Sequence, residues 1–409
     1  MPNPRPPVIV VAPDSFKGSV SAAGAASAMA RGARLVFGAA AEIVELPMAD
    51  GGEGTLDALL ATWHRPPLST ATTDALGRPK AARYGSSADG RVGIIEAAEG
   101  NGLPGVSDVP LQPLRADSHG VGTIAKRLLD DGAEEILLCI GGSASTDGGT
   151  GLLTALGARF LDAAGNPVAP GGGGLTSICS VDTSGLHPRA ATVQWRIAVD
   201  VDNPLCGERG AAAVFGPQKG AGPADIEVLD AGLANLARVL ADLAAETRPP
   251  TEGKSSRQGP PYLSTPGFGA AGGLPLALVA LLGAETVPGA QLVADAVGLD
   301  AALARADVVL TGEGCLDTQS LGGKVVDAVR RLAPASAPVL VVAGTVQLSA
   351  AQCREAGITA AVSIARGAST LPELTAAADT LIEDAAAHIC SVLAFDSAAP
   401  RSLGLHEKS

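Results

Sequence analysis

The chain has 409 residues, with 29 Lys and Arg against 42 Asp and Glu, for a formal net charge of −13. That is roughly two to three times a usual domain length, so two domains are expected, with ample core to fold without disulfide staples. Hydrophobic residues at 46% exclude a disordered chain, and an acidic balance with 2% aromatics excludes nucleic-acid binding, which needs basic stripes and stacking rings.

In chain order, residues 8–12 (VIVVA) form a short β-branched run, PDSFKG (13–18) a loop, and residues 19–36 an Ala-rich helix. Residues 42–46 are a second strand, followed by the loop ADGGEGT (49–55) and a helix from Thr55. This βα alternation predicts a parallel, doubly wound sheet. From about residue 73 to 289 the texture changes. Strands at 91–96, 135–140 and 193–199 are separated by longer Gly-rich loops. The βα pattern returns with a strand at 307–310, the loop TGEGCLDTQSLGGK (311–324), a helix from Val325, strands at 338–342 and 359–364, and a helix over 372–393.

The expected organisation is therefore a discontinuous α/β domain, residues 1–74 plus 290–395, with a second α/β domain, 75–289, inserted into it. The Pro/Gly/Ser-rich stretch 247–269 reads as an exposed loop, and residues 396–409 as a disordered tail. No apolar run reaches the roughly 18–20 residues of a membrane span. The N-terminal apolar run is too short for a signal-peptide core. Six scattered cysteines without C-x-x-C predict free thiols in a reducing cytoplasm, so a cytoplasmic protein is expected.

Five strands run directly into loops of Gly with Ser, Asp, Glu or Lys: PDSFKG, ADGGEGT, GGSASTDGG (141–149), DVDNP (200–204) and TGEG (311–314). In open α/β sheets ligands sit at the carboxyl ends of strands, and glycine lets backbone N–H groups close on anionic oxygens. Lys17, Lys219 and Lys324 adjoin such loops and suit phosphate or carboxylate as movable charges, although single lysines are ordinarily solvated. Asp50, Glu53, Asp147, Asp200, Asp202, Glu313 and Asp317 are carboxylates that could hold Mg²⁺, grip hydroxyls or act as a general base. Turn chemistry explains Asp before Gly equally well, and about half of these carboxylates are expected to be structural.

Absences narrow the field. Thr318 stands where the first Gly of a P-loop ending at Gly323-Lys324 would fall, and no G-x-G-x-x-G follows the first strand. Ser145 stands where a nucleophile elbow needs Gly, and no histidine pairs with a Ser or Cys in the sequence. The residues point to phosphoryl transfer, which needs mainly positioning and charge stabilisation. They do not name a substrate.

At these same residues the chain resembles the class I glycerate kinases of bacteria. The likeness lies in APDSFKGSVSA (12–22), ADGGEGT, GGSASTDGGTG (141–151), DVDNPLCG (200–207), VFGPQKGA (214–221), GFGAAGGL (267–274) and TGEGCLDTQSLGGK, in order, over about residues 8–395. The resemblance implies a flavodoxin-like parallel-sheet domain formed by both chain ends, with a second α/β domain inserted. It also implies ATP- and Mg²⁺-dependent phosphorylation of D-glycerate in a cleft between the two, with 2-phosphoglycerate favoured over 3-phosphoglycerate.

Carried over residue by residue, the catalytic set is Lys17, Asp200 and Lys324. Substrate or nucleotide would meet Asp14, Ser15, Asp50, Glu53, Gly141, Gly142, Ser143, Asp147, Asn203, Lys219, Glu313 and Gln319, and Asp317 or Asp200 would hold the metal. Partners would be D-glycerate and ATP, with no nucleic acid or membrane and scope for a homo-oligomer. The alternatives are a non-catalytic sugar-acid-binding or regulatory protein on the same scaffold, or a kinase for a related small hydroxy acid. Where the family more often has Ala-Thr-Asn-Asp, this chain has Ala144-Ser145-Thr146-Asp147; the 247–264 loop and the tail are longer than the family's.

Overall fold

The computed structural model describes residues 5–247 and 261–398. Among them the strands are, in chain order, β1 (Val8–Val11), β2 (Glu42–Glu45), β3 (Leu68–Thr73), β4 (Pro79–Ser86), β5 (Val92–Glu96), β6 (Glu135–Cys139) and β7 (Arg159–Leu161). They continue with β8 (Ser180–Asp182), β9 (Gln194–Ala198), β10 (Glu285–Val287), β11 (Val308–Leu316), β12 (Val339–Val346) and β13 (Ala360–Ser363). Two compact units result: one from the residues up to Asp50 with those from Val293 onward, the other from Gly51–Leu292.

The first unit is a parallel sheet in the order β13-β12-β11-β1-β2. Counted within the unit this is 2-1-3-4-5, the flavodoxin-like order. β1 is buried along its whole length, as expected of a strand covered on both faces. One face packs Ile9, Val11, Met29, Leu310 and Val342 beneath the helices Ala22–Phe37 and Ala378–Ala398, and the other packs Leu316, Val326, Val341 and Ile358. The two helices touch closely because residue 32 is glycine; a Cβ there would collide with the Glu383 carbonyl oxygen.

The second unit holds a six-stranded mixed sheet, β10-β9-β6-β5-β4-β3. Its β10, β9, β6 and β5 pair parallel, while β4 and β3 return antiparallel. The core gathers Ile95, Leu128, Leu138, Leu236 and Trp195, whose indole N–H donates to the Ala190 carbonyl at 2.8 Å. A separate β7–β8 ribbon flanks it.

Three expectations change. β11 does not stop at Leu310 but pairs with β12 through Leu316, so Glu313 lies on a strand rather than in a loop, and the strand expected at 338–342 continues as β12 through Val346. Glycines hide this extension from a pattern reading, yet they permit it: a Cβ on Gly312 or Gly344 would strike the backbone of the neighbouring strand. The last helix is two, Leu371–Ala376 and Ala378–Ala398, so residues 396–398 belong to a helix and not to a tail. Residues 399–409, and 248–260 of the expected loop, lie outside the described residues.

Candidate functional site

In the first unit, polar loops gather at the carboxyl ends of β1, β2 and β11. Pairing continues past the strand ends, with the Asp14 N–H donating to the Gly312 carbonyl and the Met48 N–H to the Pro13 carbonyl, each at 2.8 Å. These bonds bring 12–17, 46–50 and 312–317 side by side. Asp14 is 8% exposed and accepts the Ser15 N–H at 2.6 Å. Burial pushes its carboxyl up to about 6, Asp50 adds to the shift, and the Ser15 N–H and Lys17 oppose it. Lys17 is open to solvent, with Nζ 3.9 Å from Asp50 Oδ2.

Glu313 is the second buried carboxylate here. Burial raises it to about 7, Asp14 and Asp317 add to the shift, and Ser320 and Lys324 oppose it. Its Oε1 is buried and has no hydrogen-bond partner among the described residues. Asp317 instead folds its own turn: Oδ1 accepts the N–H groups of Gln319 at 2.8 Å and Ser320 at 3.2 Å. Gln319 is exposed. Lys324 precedes the helix Val325–Leu332, and the loop before it is tied by the Gly323 N–H to Asp327 Oδ2 at 3.0 Å. Asp327 is in turn braced by Arg330 and Arg331. This unit therefore assembles Asp14, Ser15, Lys17, Asp50, Glu313 and Lys324, with Asp317 and Gln319 on the adjoining turn.

The second unit builds a different arrangement around 141–149. Gly141 and Gly142 are exposed after β6, whereas Ser143, Ser145, Thr146 and Asp147 are buried. Asp147 Oδ2 accepts the Ser118 N–H at 2.9 Å, the Ser118 hydroxyl at 2.7 Å and the Gly151 N–H at 3.0 Å, and Oδ1 accepts the Gly149 N–H at 3.3 Å. Lys219 is also buried, at 6% exposure; its ammonium donates to Ser143 Oγ at 3.2 Å and to the Ser145 carbonyl. Burial lowers it to about 8, and Asp147 opposes the shift. Lys219, expected to meet substrate or nucleotide, is engaged as a clamp on the loop.

The GFGAAGG segment interlocks with the same loop. The Gly148 N–H donates to the Gly272 carbonyl at 3.0 Å, and a Cβ on Gly272 would meet the Ser145 carbonyl. The Asn203 carbonyl accepts the N–H groups of Gly267 and Gly269 at 3.1 and 2.9 Å, while Asn203 Nδ2 donates to the Arg209 carbonyl. Asp200 is exposed, with Oδ1 accepting the Gly289 N–H at 2.8 Å. Asp202 pairs with Arg209 at 3.0 Å. Glu53 is exposed at the start of the helix Thr55–Trp63.

Sequence reasoning missed two organisers of these loops. Glu96 Oε1 accepts the N–H groups of Gly54 at 3.0 Å and Leu56 at 2.8 Å, holding ADGGEGT from β5. Burial raises Glu96, and Asp57 adds to the shift. Asn101, fully buried, donates to Ser145 Oγ at 3.0 Å. An acid ending a strand just ahead of AEGNG was the available signal for both. Among the described residues no three His, Cys, Asp or Glu side chains form a ready metal cage, and no helix is long and apolar enough to cross a membrane.

Such a set of buried acids beside Lys17, Lys324 and glycine loops suits an anionic, phosphorylated reactant, and comparison with known proteins agrees. The model of the family described as the glycerate kinase family matches residues 9–394. A glycerate kinase from Bacillus subtilis is 40% identical over 89% of this chain and 92% of its own. A glycerate 2-kinase from Escherichia coli is 39% identical over 94% of this chain and 98% of its own. The crystal structure of a glycerate kinase 2 from Salmonella typhimurium LT2, 38% identical, superposes with a TM-score of 0.85 over 96% of this chain and 100% of that one.

Proposed function

This chain belongs to the glycerate kinase family and is a phosphotransferase, and from that premise we propose that it transfers the terminal phosphoryl group of ATP to the 2-hydroxyl of D-glycerate. The observation that carries the reading at the level of residues is the group in the first unit: two buried carboxylates of raised pKa, Asp14 and Glu313, beside Lys17 and Lys324. Charges held so expensively out of water, with one carboxylate oxygen unpartnered, suit a ligand that supplies compensating charge. The 2-hydroxyl preference draws on the name of the Escherichia coli relative.

In the transfer, the glycerate hydroxyl oxygen bonds to the terminal phosphorus, the bond from phosphorus to the ADP oxygen breaks, and the hydroxyl proton goes to a carboxylate. Lys17 and Lys324 would neutralise the carboxylate and phosphate oxygens. Asp200, its Oδ1 fixed by the Gly289 N–H, would orient the hydroxyl or take its proton. Gly141 and Gly142 present exposed backbone to an anion, with Ser143 beside them held by Lys219, which acts as a positioning residue.

Mg²⁺ binds through one or two carboxylates completed by phosphate oxygens rather than in an all-protein cage. Glu313, with its unpartnered Oε1, would hold it, with Asp14, Asp317 or Asp200 as the second carboxylate; each of those three has Oδ1 engaged by a backbone N–H. When bound, the ion supplies charge neutralisation at the phosphates.

The test is purified protein with D-glycerate, ATP and Mg²⁺, with ADP release followed and the product identified by phosphorus NMR. A 2-phosphoglycerate resonance is expected. A 3-phosphoglycerate resonance overturns the regiochemistry, and turnover of another hydroxy acid in place of glycerate overturns the substrate.

A further inference from the structure

Among the described residues, cavities open at both ends of the first unit's sheet. The larger, near the amino ends of β1 and β2, is walled by Arg5, Glu42 and Arg305. Both arginines are already spent on ion pairs, Arg5 with Asp307 at 2.8 Å and Arg305 with Glu42 at 2.9 Å. The smaller lies at the carboxyl ends of the strands and differs in character. It is a cavity of about 110 Å³ lined by Phe16, Ile364, Leu371 and Leu374, with Thr345 and Thr375 among its polar groups and Lys17 also in its wall.

We propose that this cavity takes the nucleobase of the phosphoryl donor. The inference rests on the kinase reading and adds the subsite that reading leaves unassigned. The order 2-1-3-4-5 reverses direction between β1 and β11, and ligands of doubly wound sheets bind outside the carboxyl ends at that reversal. The cavity draws its wall from the loop after β1, from Gly314 on β11 and from Gly344 on β12.

Its chemistry excludes glycerate, a small acid whose carboxylate and hydroxyls would leave apolar side chains nothing to cover. At that size it is smaller than the roughly 300–1,000 Å³ of sites that enclose a whole ligand, and suits one part of a nucleotide. One flat ring system fits both limits. Aliphatic and aromatic walls cover the faces of a base, and threonine hydroxyls can meet its polar edge. Leu371 is 76% exposed at the rim, where a ring could be laid against it. Lys17, sharing the wall, would then stand where the phosphates leave the pocket.

Titration calorimetry on the full chain tests this without turnover, using ATP and inorganic tripolyphosphate as separate probes. Leu374→Trp fills the cavity, and is expected to weaken ATP at least about tenfold while leaving tripolyphosphate within about twofold. Leu371→Ala, at an exposed position that leaves the core intact, is expected to weaken ATP about threefold with the same indifference to tripolyphosphate. ATP binding by wild type that both variants leave unchanged overturns the subsite alone. Failure of wild type to bind ATP overturns the kinase reading beneath it.

Discussion

The polar groups of the two units differ in how they are held. In the first, Asp14 and Glu313 are buried against like charge and raised to about 6 and 7, while Lys17 stands open with its nearest carboxylate at 3.9 Å. In the second, Asp147 accepts four hydrogen bonds, Glu96 accepts two from the ADGGEGT loop, and Lys219 is sealed against Ser143 and Ser145. One set leaves charge uncompensated, as the proposed ligand site requires; the other uses most of its polar atoms to fix loop geometry. If two groups of similar composition divide the work in this way, substitution should separate activity from stability accordingly.

The largest effect is expected at Asp147. Alanine there strips partners from the Ser118, Gly149 and Gly151 N–H groups and the Ser118 hydroxyl, all in a buried setting. Loss of about 3–5 kcal/mol is expected, read as a fall in denaturant midpoint. A midpoint near wild type would dissolve the contrast between the units. Lys17→Ala should do the reverse. Its side chain is 75% exposed, so the melting temperature should hold while kcat/KM falls roughly 100-fold, about 2.7 kcal/mol of transition-state stabilisation. Unchanged kinetics would remove Lys17 from the reaction.

This division was only partly readable in the sequence. The βα rhythm of 8–60 and 307–364 shows because buried parallel strands are short β-branched runs, as VIVV is. The glycine loops stand out because few other residues allow such turns. What does not show is whether a polar residue beside glycine faces solvent or core. Asp147 and Asp50 look alike in sequence, both Asp-Gly-Gly, yet Asp147 is fully buried and Asp50 borders the lysine loop. Lys219, in PQKG, carries no local mark of burial, since its partners Ser143 and Ser145 lie more than seventy positions away. Glu313 was placed in a loop because Gly312 and Gly314 interrupt the strand pattern that backbone pairing with β12 completes.

Lys219→Met sharpens the comparison at intermediate size. Methionine fills a similar volume without the cost of burying an ammonium, but leaves the Ser143 hydroxyl and Ser145 carbonyl without their donor. These effects oppose, so stability at neutral pH should move by less than about 1 kcal/mol while kcat falls about tenfold as the loop relaxes. The pH dependence identifies the cause. A native value of about 8 against 10.5 in the unfolded chain means the unfolded state binds more protons between those values. Wild-type stability attributable to this lysine should rise from pH 8 toward 10.5, and the variant should lose that rise.

The smallest effect asks whether the second unit carries any uncompensated charge at all. Asp117 is the candidate: burial raises it to about 6, Asp147 adds to the shift, and the His119 N–H, donated to Oδ1 at 3.0 Å, opposes it. Asparagine keeps an acceptor for that N–H and removes only the charge. Because the folded value lies above the unfolded 3.8, the group's favourable contribution is complete below 3.8 and lost as pH rises through 6. Asp117→Asn should therefore melt a few degrees above wild type from pH 6 upward and converge with it near pH 4. Were the variant less stable than wild type at neutral pH, the Asp117 charge would be compensated like that of Asp147, and the second unit would be a saturated scaffold throughout. The expected gain instead places Asp117 with Asp14 and Glu313, as a carboxylate whose charge burial opposes.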